Sequence, residues 1–349
     1  MNRTVRLTAL LAAASLMVCV LAGCGQESPG TGAGGSDAVP ARSDAAPAKK
    51  DLTDIKVGVS MYTLGAPYFV AQVNTIEKKV REYGMQFLST EARDDINKQM
   101  NDVEDLLMQG IDLLILNPKD PQASIPATKA ATRAGVPVII IDSSIDSAAD
   151  FITTIQSNNL ANGELIGEWL VKQMGQEYIK MALISGVPGN PVGKERRQGV
   201  FRGIIEEQLR RYNRFSFEIV ARGWGNWSHE GGLNAMETLI VAHPEINVML
   251  AENDSMALGA LEAIKAAGRE NDILVFAAAD GQKEALELIK EGKYGATGLN
   301  DPVLIAETAV KIGLEVLGGK TGFPKISYTK AVCINKANVD EYYDPDAIF

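Results

Sequence analysis

Six side chains in this 349-residue chain carry the groups that could fix a neutral, hydroxyl-rich molecule: Asp142, Arg196, Trp227, Asn253, Asp280 and Asn300. Aspartate accepts hydrogen bonds, asparagine both accepts and donates, and arginine donates in a planar fork. Trp227, together with Tyr68 ahead of the set, offers a flat apolar face for the C–H side of such a molecule. A pocket that orients a polar solute needs a few such groups over an apolar floor. Each residue also has a plainer role open to it. Asn253 and Asp280 stand just ahead of helical stretches and suit N-caps. Arg196, beside Arg197, suits a solvated helix face, and Trp227 suits core packing.

Catalytic constellations do not assemble from the same chain. Gly186-Val-Pro-Gly-Asn-Pro-Val-Gly193-Lys194 resembles a phosphate loop, but Pro188 stands where its first glycine belongs and Glu195 where Ser or Thr must follow the lysine. His229-Glu230 opens like a zinc-protease motif, yet Leu233 occupies the second histidine's place, and His229 is expected to start a helix instead. With two histidines in all, a His-rich metal site is excluded. No Gly-x-Ser-x-Gly elbow is present for a hydrolase triad. No cofactor is called for.

The elements that must position these groups alternate regularly. Ile55–Ser60, Gln86–Ser89, Leu113–Asn117 and Val136–Asp142 read as strands, and the stretches between them, beginning at Phe69, Ile96 and Ser124, have helical periodicity closed by Gly84, Gly110 and Gly135. The rhythm resumes from Phe151 and runs to Leu317. Strands apolar throughout are covered on both faces, the mark of parallel sheets. Alternation of strand and helix implies right-handed βαβ units. The class is therefore α/β, doubly wound, and the run is long enough for two similar lobes. Ligands of such sheets bind beyond the carboxyl ends of the strands. That rule nominates Met61 to Tyr68, Asn117 to Asp120, Asp142 to Ser144, Gly186 to Arg196, Trp224 to Trp227, and the pairs at 253–254, 280–281 and 300–301.

The N-terminus speaks to the compartment. Arg3 and Arg6 precede an apolar run, Leu7 to Ala22, that is shorter than the about 20 residues a membrane span wants. It reads as the core of a secretory signal. Leu21-Ala22-Gly23-Cys24 matches the lipobox of bacterial lipoproteins, and that resemblance implies cleavage before Cys24 and lipidation of its sulfur. The Gly-, Ala-, Ser- and Pro-rich stretch from Gly25 to Lys50 is too poor in bulky apolar residues to fold and is expected to be a tether. The remaining cysteines are Cys19, inside the signal, and Cys333, in an apolar stretch where a small core residue is expected. The 299 residues from Asp51 to Phe349 suffice for two domains. The chain's 34 basic and 44 acidic residues give a net charge of −10, and loss of Arg3 and Arg6 with the signal takes it to −12. Such a body is a poor partner for nucleic acid.

From Ile55 to Ala331 the chain resembles the periplasmic sugar-binding proteins of the ribose and galactose type, which have the type I solute-binding fold. The likeness rests on Ala66-Pro-Tyr-Phe69, Gly110-Ile-Asp-Leu-Leu-Ile-Leu-Asn117-Pro118, Gly135-Val-Pro-Val, Glu195-Arg196, Ala242-His-Pro-Glu-Ile, Ala251-Glu-Asn253-Asp254-Ser-Met-Ala-Leu-Gly259 and Ala279-Asp280-Gly281. The resemblance implies that Tyr68 and Phe69 are the paired aromatics against one face of a sugar ring and that Asp142 takes its hydroxyls. It implies that Arg196 reaches in from the start of a second-lobe helix, that Trp227 closes over the other ring face, and that Asn253, Asp280 and Asn300 are the polar groups of the second lobe and hinge. Three positions depart from the ribose pattern. Ala66 replaces an asparagine, Ser143 an arginine and Asn300 a glutamine, which points to a different hydroxyl pattern, a hexose or a linear polyol.

The resemblance also implies a division of labour along the chain. Residues 51–156 with 301–331 are expected to form one lobe, and residues 157–300 with 332–349 the other. Three crossings near Ser157, Asn300 and Val332 serve as the hinge that closes on the ligand. The expected protein is a monomeric, lipid-anchored receptor outside the cytoplasm that hands a sugar or polyol to an ABC transporter permease. The same fold also serves ligand-sensing receptors for chemotaxis or sensor kinases, and the sequence leaves the two open. A repressor of the lactose-repressor type needs a helix-turn-helix where the signal and lipobox stand.

Overall fold

The structure, a computed structural model, describes residues 50–349. The signal, Cys24 and the tether up to residue 49 lie outside the described residues. The chain begins with β1 (Lys56–Met61), α1 (Pro67–Glu82), β2 (Gln86–Glu91), α2 (Ile96–Met108), β3 (Leu113–Asn117), α3 (Ile125–Arg133), β4 (Val138–Ile141) and β5 (Thr153–Ser157). It then forms α4 (Asn159–Met174), β6 (Ile179–Ser185), α5 (Pro191–Tyr212), β7 (Phe217–Trp224), α6 (His229–Ala242), β8 (Val248–Ala251), α7 (Asp254–Ala266), β9 (Leu274–Ala277), α8 (Lys283–Glu291) and β10 (Ala296–Gly298). It returns through α9 (Pro302–Leu317) and β11 (Ile326–Thr329) and ends with β12 (Cys333–Asn335).

Two parallel sheets result. The first has six strands in the order β11-β5-β4-β3-β1-β2, and the second four in the order β7-β6-β8-β9. β10 and β12 pair antiparallel beside the second sheet, to which a parallel bridge between Asp280 and Leu299 adds a further link. The strands expected from sequence are present, with ends displaced by up to three residues. The strand and helix pattern legible in the sequence ends at Leu317, and β11 and β12 lie beyond it. β11 is an edge strand with alternating exposure, and β12 is three residues long, so neither carries the continuous apolar run that marks a central strand.

Alternation along each central strand divides the core by sheet face. Leu113, Ile115, Ile139 and Ile141 face α1 and α9, meeting Ile76, Val80, Ile305 and Val310. Their neighbours Leu114, Leu116, Val138 and Ile140 face α2 and α3. The second sheet repeats this arrangement. Ile184, Met249 and Val275 pack under α6, α7 and α8. Met181, Leu183, Leu250 and Phe276 pack under α4 and α5. Strands β3, β4 and β8 are buried at every residue, whereas the edge strands β2 and β7 are half exposed.

The chain passes between the two sheets three times, after Ser157, after Gly298 and after Thr329. Immediately beyond the first passage, α4 meets α5 along a seam without side chains. A Cβ on Gly167 would lie 2.2 Å from the Val200 carbonyl oxygen, and one on Gly203 would lie 2.1 Å from that of Glu164. Gly163 and Gly199 are equally crowded, by the backbone of Arg196 and Leu160. Four glycines thus bring two helix backbones into contact and set where the first turns of α5 lie.

Candidate functional site

The carboxyl ends of both sheets open on one cavity of about 170 Å³, room for one small polar solute in place of a few waters. All eight residues named from sequence line it: Tyr68, Phe69 and Asp142 from the six-stranded half, Arg196, Trp227, Asn253 and Asp280 from the four-stranded half, and Asn300 at a passage between them. Of the other nominated positions, Asn117 is fully buried beneath the site, Asp301 caps α9, and Trp224 is over a third exposed beside Arg222.

Asp142 follows directly on β4 and takes a left-handed backbone with φ of 65°. That conformation is unusual for a residue with a Cβ, and it aims the carboxylate off the strand end. Tyr68 sits in the first turn of α1, which Pro67 starts and no side chain caps, because the residue at the cap position is Ala66. Its Oη lies 2.7 Å from Asp142 Oδ1 and 3.0 Å from Asn300 Oδ1. Burial, reinforced by the charge of Asp142, pushes the phenol well above its ordinary range. Burial likewise raises the Asp142 carboxyl above its usual 3.8, although the Tyr68 hydrogen bond opposes this. Phe69 meets both Tyr68 and Tyr62 edge to face, so three rings form a rigid apolar wall.

Arg196 is 4% exposed, which excludes the solvated helix face. Its Nε donates to Asn159 Oδ1 at 3.0 Å, its Nη1 to the Glu252 carbonyl at 2.9 Å, and its Nη2 pairs with Asp280 Oδ1 at 2.7 Å. Asn300 Nδ2 donates to the same Asp280 oxygen at 3.0 Å, and Ser157 Oγ donates to Asn300 Oδ1 at 2.7 Å. A continuous chain of polar groups therefore runs from Asp142 through Tyr68, Asn300 and Asp280 to Arg196, joining both halves.

Asp280 is not an N-cap. The loop that carries it is held by Asp254, whose Oδ2 accepts from the amides of Asp280, Gly281 and Gln282 at 3.0, 2.7 and 2.9 Å. Tyr294 Oη and Thr297 Oγ1 complete the shell of this fully buried carboxylate. Asn253 does cap α7, accepting from the Met256 amide at 3.1 Å, while its Nδ2 donates to the Trp227 carbonyl at 3.4 Å. One side chain thus fills the plain role and helps to hold a cavity residue. Trp227 itself has φ of 60°. Its ring lies against the backbone of Gly186, where any Cβ would stand 2.0 Å from it, and the Arg196 guanidinium sits 5.9 Å from its centroid.

Several further positions at or beneath the cavity are not marked by the sequence pattern. Glu252, 1% exposed, accepts from the Gly186 amide at 2.8 Å and pairs with Arg197, fixing the turn beneath Trp227. Ser255 and Gln282 line the cavity and bond to each other at 2.9 Å. Each lies one residue beyond a nominated pair, 253–254 and 280–281, so the strand-end rule carried the signal. Phe349 also lines the cavity, and no local pattern points to it. Cys333 is half-buried against the second core, and burial pushes its thiol up to about 12, the state of an inert packing residue. Among the described residues no cluster of His, Cys, Asp and Glu could hold a metal ion, and no helix is long and apolar enough to cross a membrane.

Known proteins share this architecture. The ribose import binding protein RbsB of Bacillus subtilis is 37% identical over 267 residues, 76% of this chain and 83% of that protein. The structure of an ABC transporter solute binding protein from Mycobacterium smegmatis, with bound glycerol, is 30% identical, has a TM-score of 0.76 and covers 84% of this chain and 98% of its own. A periplasmic solute binding protein from Actinobacillus succinogenes, with bound D-allose, is 26% identical with a TM-score of 0.76, covering 83% of this chain and 100% of its own. Residues 57–321 match the family described as the periplasmic binding protein domain, and with the two-sheet architecture and its shared cleft this chain belongs to that family of solute-binding, non-catalytic proteins.

Proposed function

We propose that this protein is the extracytoplasmic solute-binding lipoprotein of an ABC transporter. It captures a monosaccharide or polyol by closing two lobes about a hinge and presents the closed form to a permease. The observation that carries this reading is the polar chain Asp142–Tyr68–Asn300–Asp280–Arg196, which spans both halves and lies against the aromatic walls of one cavity. A solute that hydrogen-bonds to both ends of the chain binds the closed state better than the open one, and only such a difference can drive closure. The relatives support the class, since one is named for ribose import and two solved structures hold glycerol and D-allose. Ala66 and Ser143 line the cavity with small side chains, leaving room where the ribose pattern places larger polar ones. The site residues are the eight named from sequence, and Cys24 is the point of lipid attachment.

A thermal-shift screen of residues 50–349, a compact unit with its own cores, against aldopentoses, aldohexoses, inositols and linear polyols tests the proposal. Stabilisation grows with ligand excess over its dissociation constant, about 2.7 kcal/mol at a hundredfold excess. A saturable rise in Tm with one compound is expected. No rise across the panel removes the sugar and polyol assignment.

A further inference from the structure

The end of the described chain returns to the cavity from outside. Tyr343 Oη donates to Glu287 Oε1 at 2.9 Å, and Lys290 Nζ lies 4.4 Å above the Tyr343 ring. Lys283 Nζ donates to the carbonyls of Pro345 and Ala347. All three anchoring residues belong to α8, in the four-stranded half. The far end of the segment lies against the other half. The Phe349 ring meets Tyr68 of α1 edge to face, with centroids 5.1 Å apart and planes at 81°. The segment therefore bridges the cleft without being one of the three backbone passages.

Phe349 also stands between two cavities. A second cavity of about 360 Å³ lies under the segment, walled by Ala71, Leu286, Leu299 and Ile334. Asp280 and Phe349 are the two residues common to both cavities. Asp280 carries the ion pair to Arg196 at 2.7 Å. Asp280 and the Phe349 ring form the shared wall of the two cavities, so removing the ring should join them and let water pass from the second to a solute bound in the first, where polar contacts weaken as the local dielectric rises.

We infer that residues 344–349 form a strap across the cleft, and that Phe349 is a plug that seals the binding cavity at Asp280 and slows release of the bound solute. This deepens the solute-binding reading and rests on it. The contact between Phe349 and Tyr68 crosses the cleft and must break before the two halves part, so the strap acts on release.

The test uses the full-length chain, Phe349→Ala, and a chain ending at Asp344. Binding of D-ribose, D-allose, myo-inositol and glycerol is measured by calorimetry, and release by stopped-flow tryptophan fluorescence. Loss of one aromatic pair corresponds to a fold-change of about 2 to 10. Weaker binding by that factor, carried by faster release, supports the plug. Unchanged or tighter binding by either variant, with the parent binding normally, overturns it and leaves the solute-binding reading intact. If the parent binds none of the four, the solute reading fails on these probes, and the strap is judged without ligand. Hydrogen exchange at residues 66–72 should then be faster in both variants than in the parent, and equal protection overturns the strap.

Discussion

Arg196 and Asp280 form a buried pair whose partners lie inside the protein before any solute arrives. Removing either does two separable things. Arg196→Ala deletes a charged donor from the cavity and should weaken solute binding by about 1.5–3 kcal/mol in a calorimetric titration. It also leaves the Asp280 carboxylate without its counter-charge at a site only 12% exposed, and urea unfolding of the ligand-free protein should show a further loss of about 3–5 kcal/mol. A variant that binds as the parent does would remove Arg196 from the site. Asp142 supplies the pH dependence. Burial holds its carboxyl above 3.8 in the ligand-free protein, against the hydrogen bond from Tyr68. A solute hydroxyl donating to the carboxylate favours the charged form, so binding lowers that pKa and releases a proton. Affinity should therefore fall as pH is lowered from neutrality through the raised Asp142 value. Titrations in two buffers of different ionisation enthalpy would detect the released proton, and Asp142→Asn should abolish the release.

At the scale of elements, the α4–α5 seam decides where Arg196 can be. The first turns of α5 reach the cavity because Gly163, Gly167, Gly199 and Gly203 let the two backbones touch. Gly167→Ala places a methyl group 2.2 Å from the Val200 carbonyl, so the helices must part. Overpacking of this kind costs about 1–3 kcal/mol. A lowered urea midpoint is expected, together with weaker solute binding, because Arg196 moves with its helix. Unaltered stability would mean that the seam relaxes without cost. The Asp254 shell plays a matching part for the loop carrying Asp280, where one carboxylate orders three consecutive amides.

For the whole molecule, three backbone passages joining two rigid sheets permit a hinge, and Asn300 sits at one of them, bonded to Ser157 at another. If the lobes close on the solute as proposed, saturation with the solute found in the thermal screen should give a smaller radius of gyration by small-angle scattering, and an unchanged radius counts against closure. Asn300→Ala cuts the link between Tyr68 and Asp280 and should leave the ligand-free protein more expanded than the parent by the same measurement. The proposed lipid anchor belongs to this scale too. Cys24→Ser should move the protein from the membrane pellet to the soluble fraction of its host while leaving solute affinity as it was. Retention in the pellet would refute lipidation at Cys24.

The sequence alone determined the fold class and most of the strands and helices, because these follow from short continuous apolar runs, from a helical period of 3.6 residues and from glycines that end helices, all local signals. It also brought candidate site residues into view, since in a doubly wound sheet the residues after each strand share one edge, so local order predicts spatial neighbourhood. The tertiary structure alone decided what those residues do to one another. Arg196 and Asp280, 84 positions apart, pair only when α5 and the loop after β9 are packed. Asn253, which suited either a cap or a cavity wall, fills both positions. The paired Gly-x-x-x-Gly spacings of α4 and α5 were visible as letters, but nothing local says that two such helices touch. β11 and β12 lacked a signal because an edge strand and a three-residue strand bury too little to impose a pattern. Phe349 lies outside every repeat, and its place between two cavities depends on contacts with α1 and α8, which are remote in the chain and adjacent only after folding.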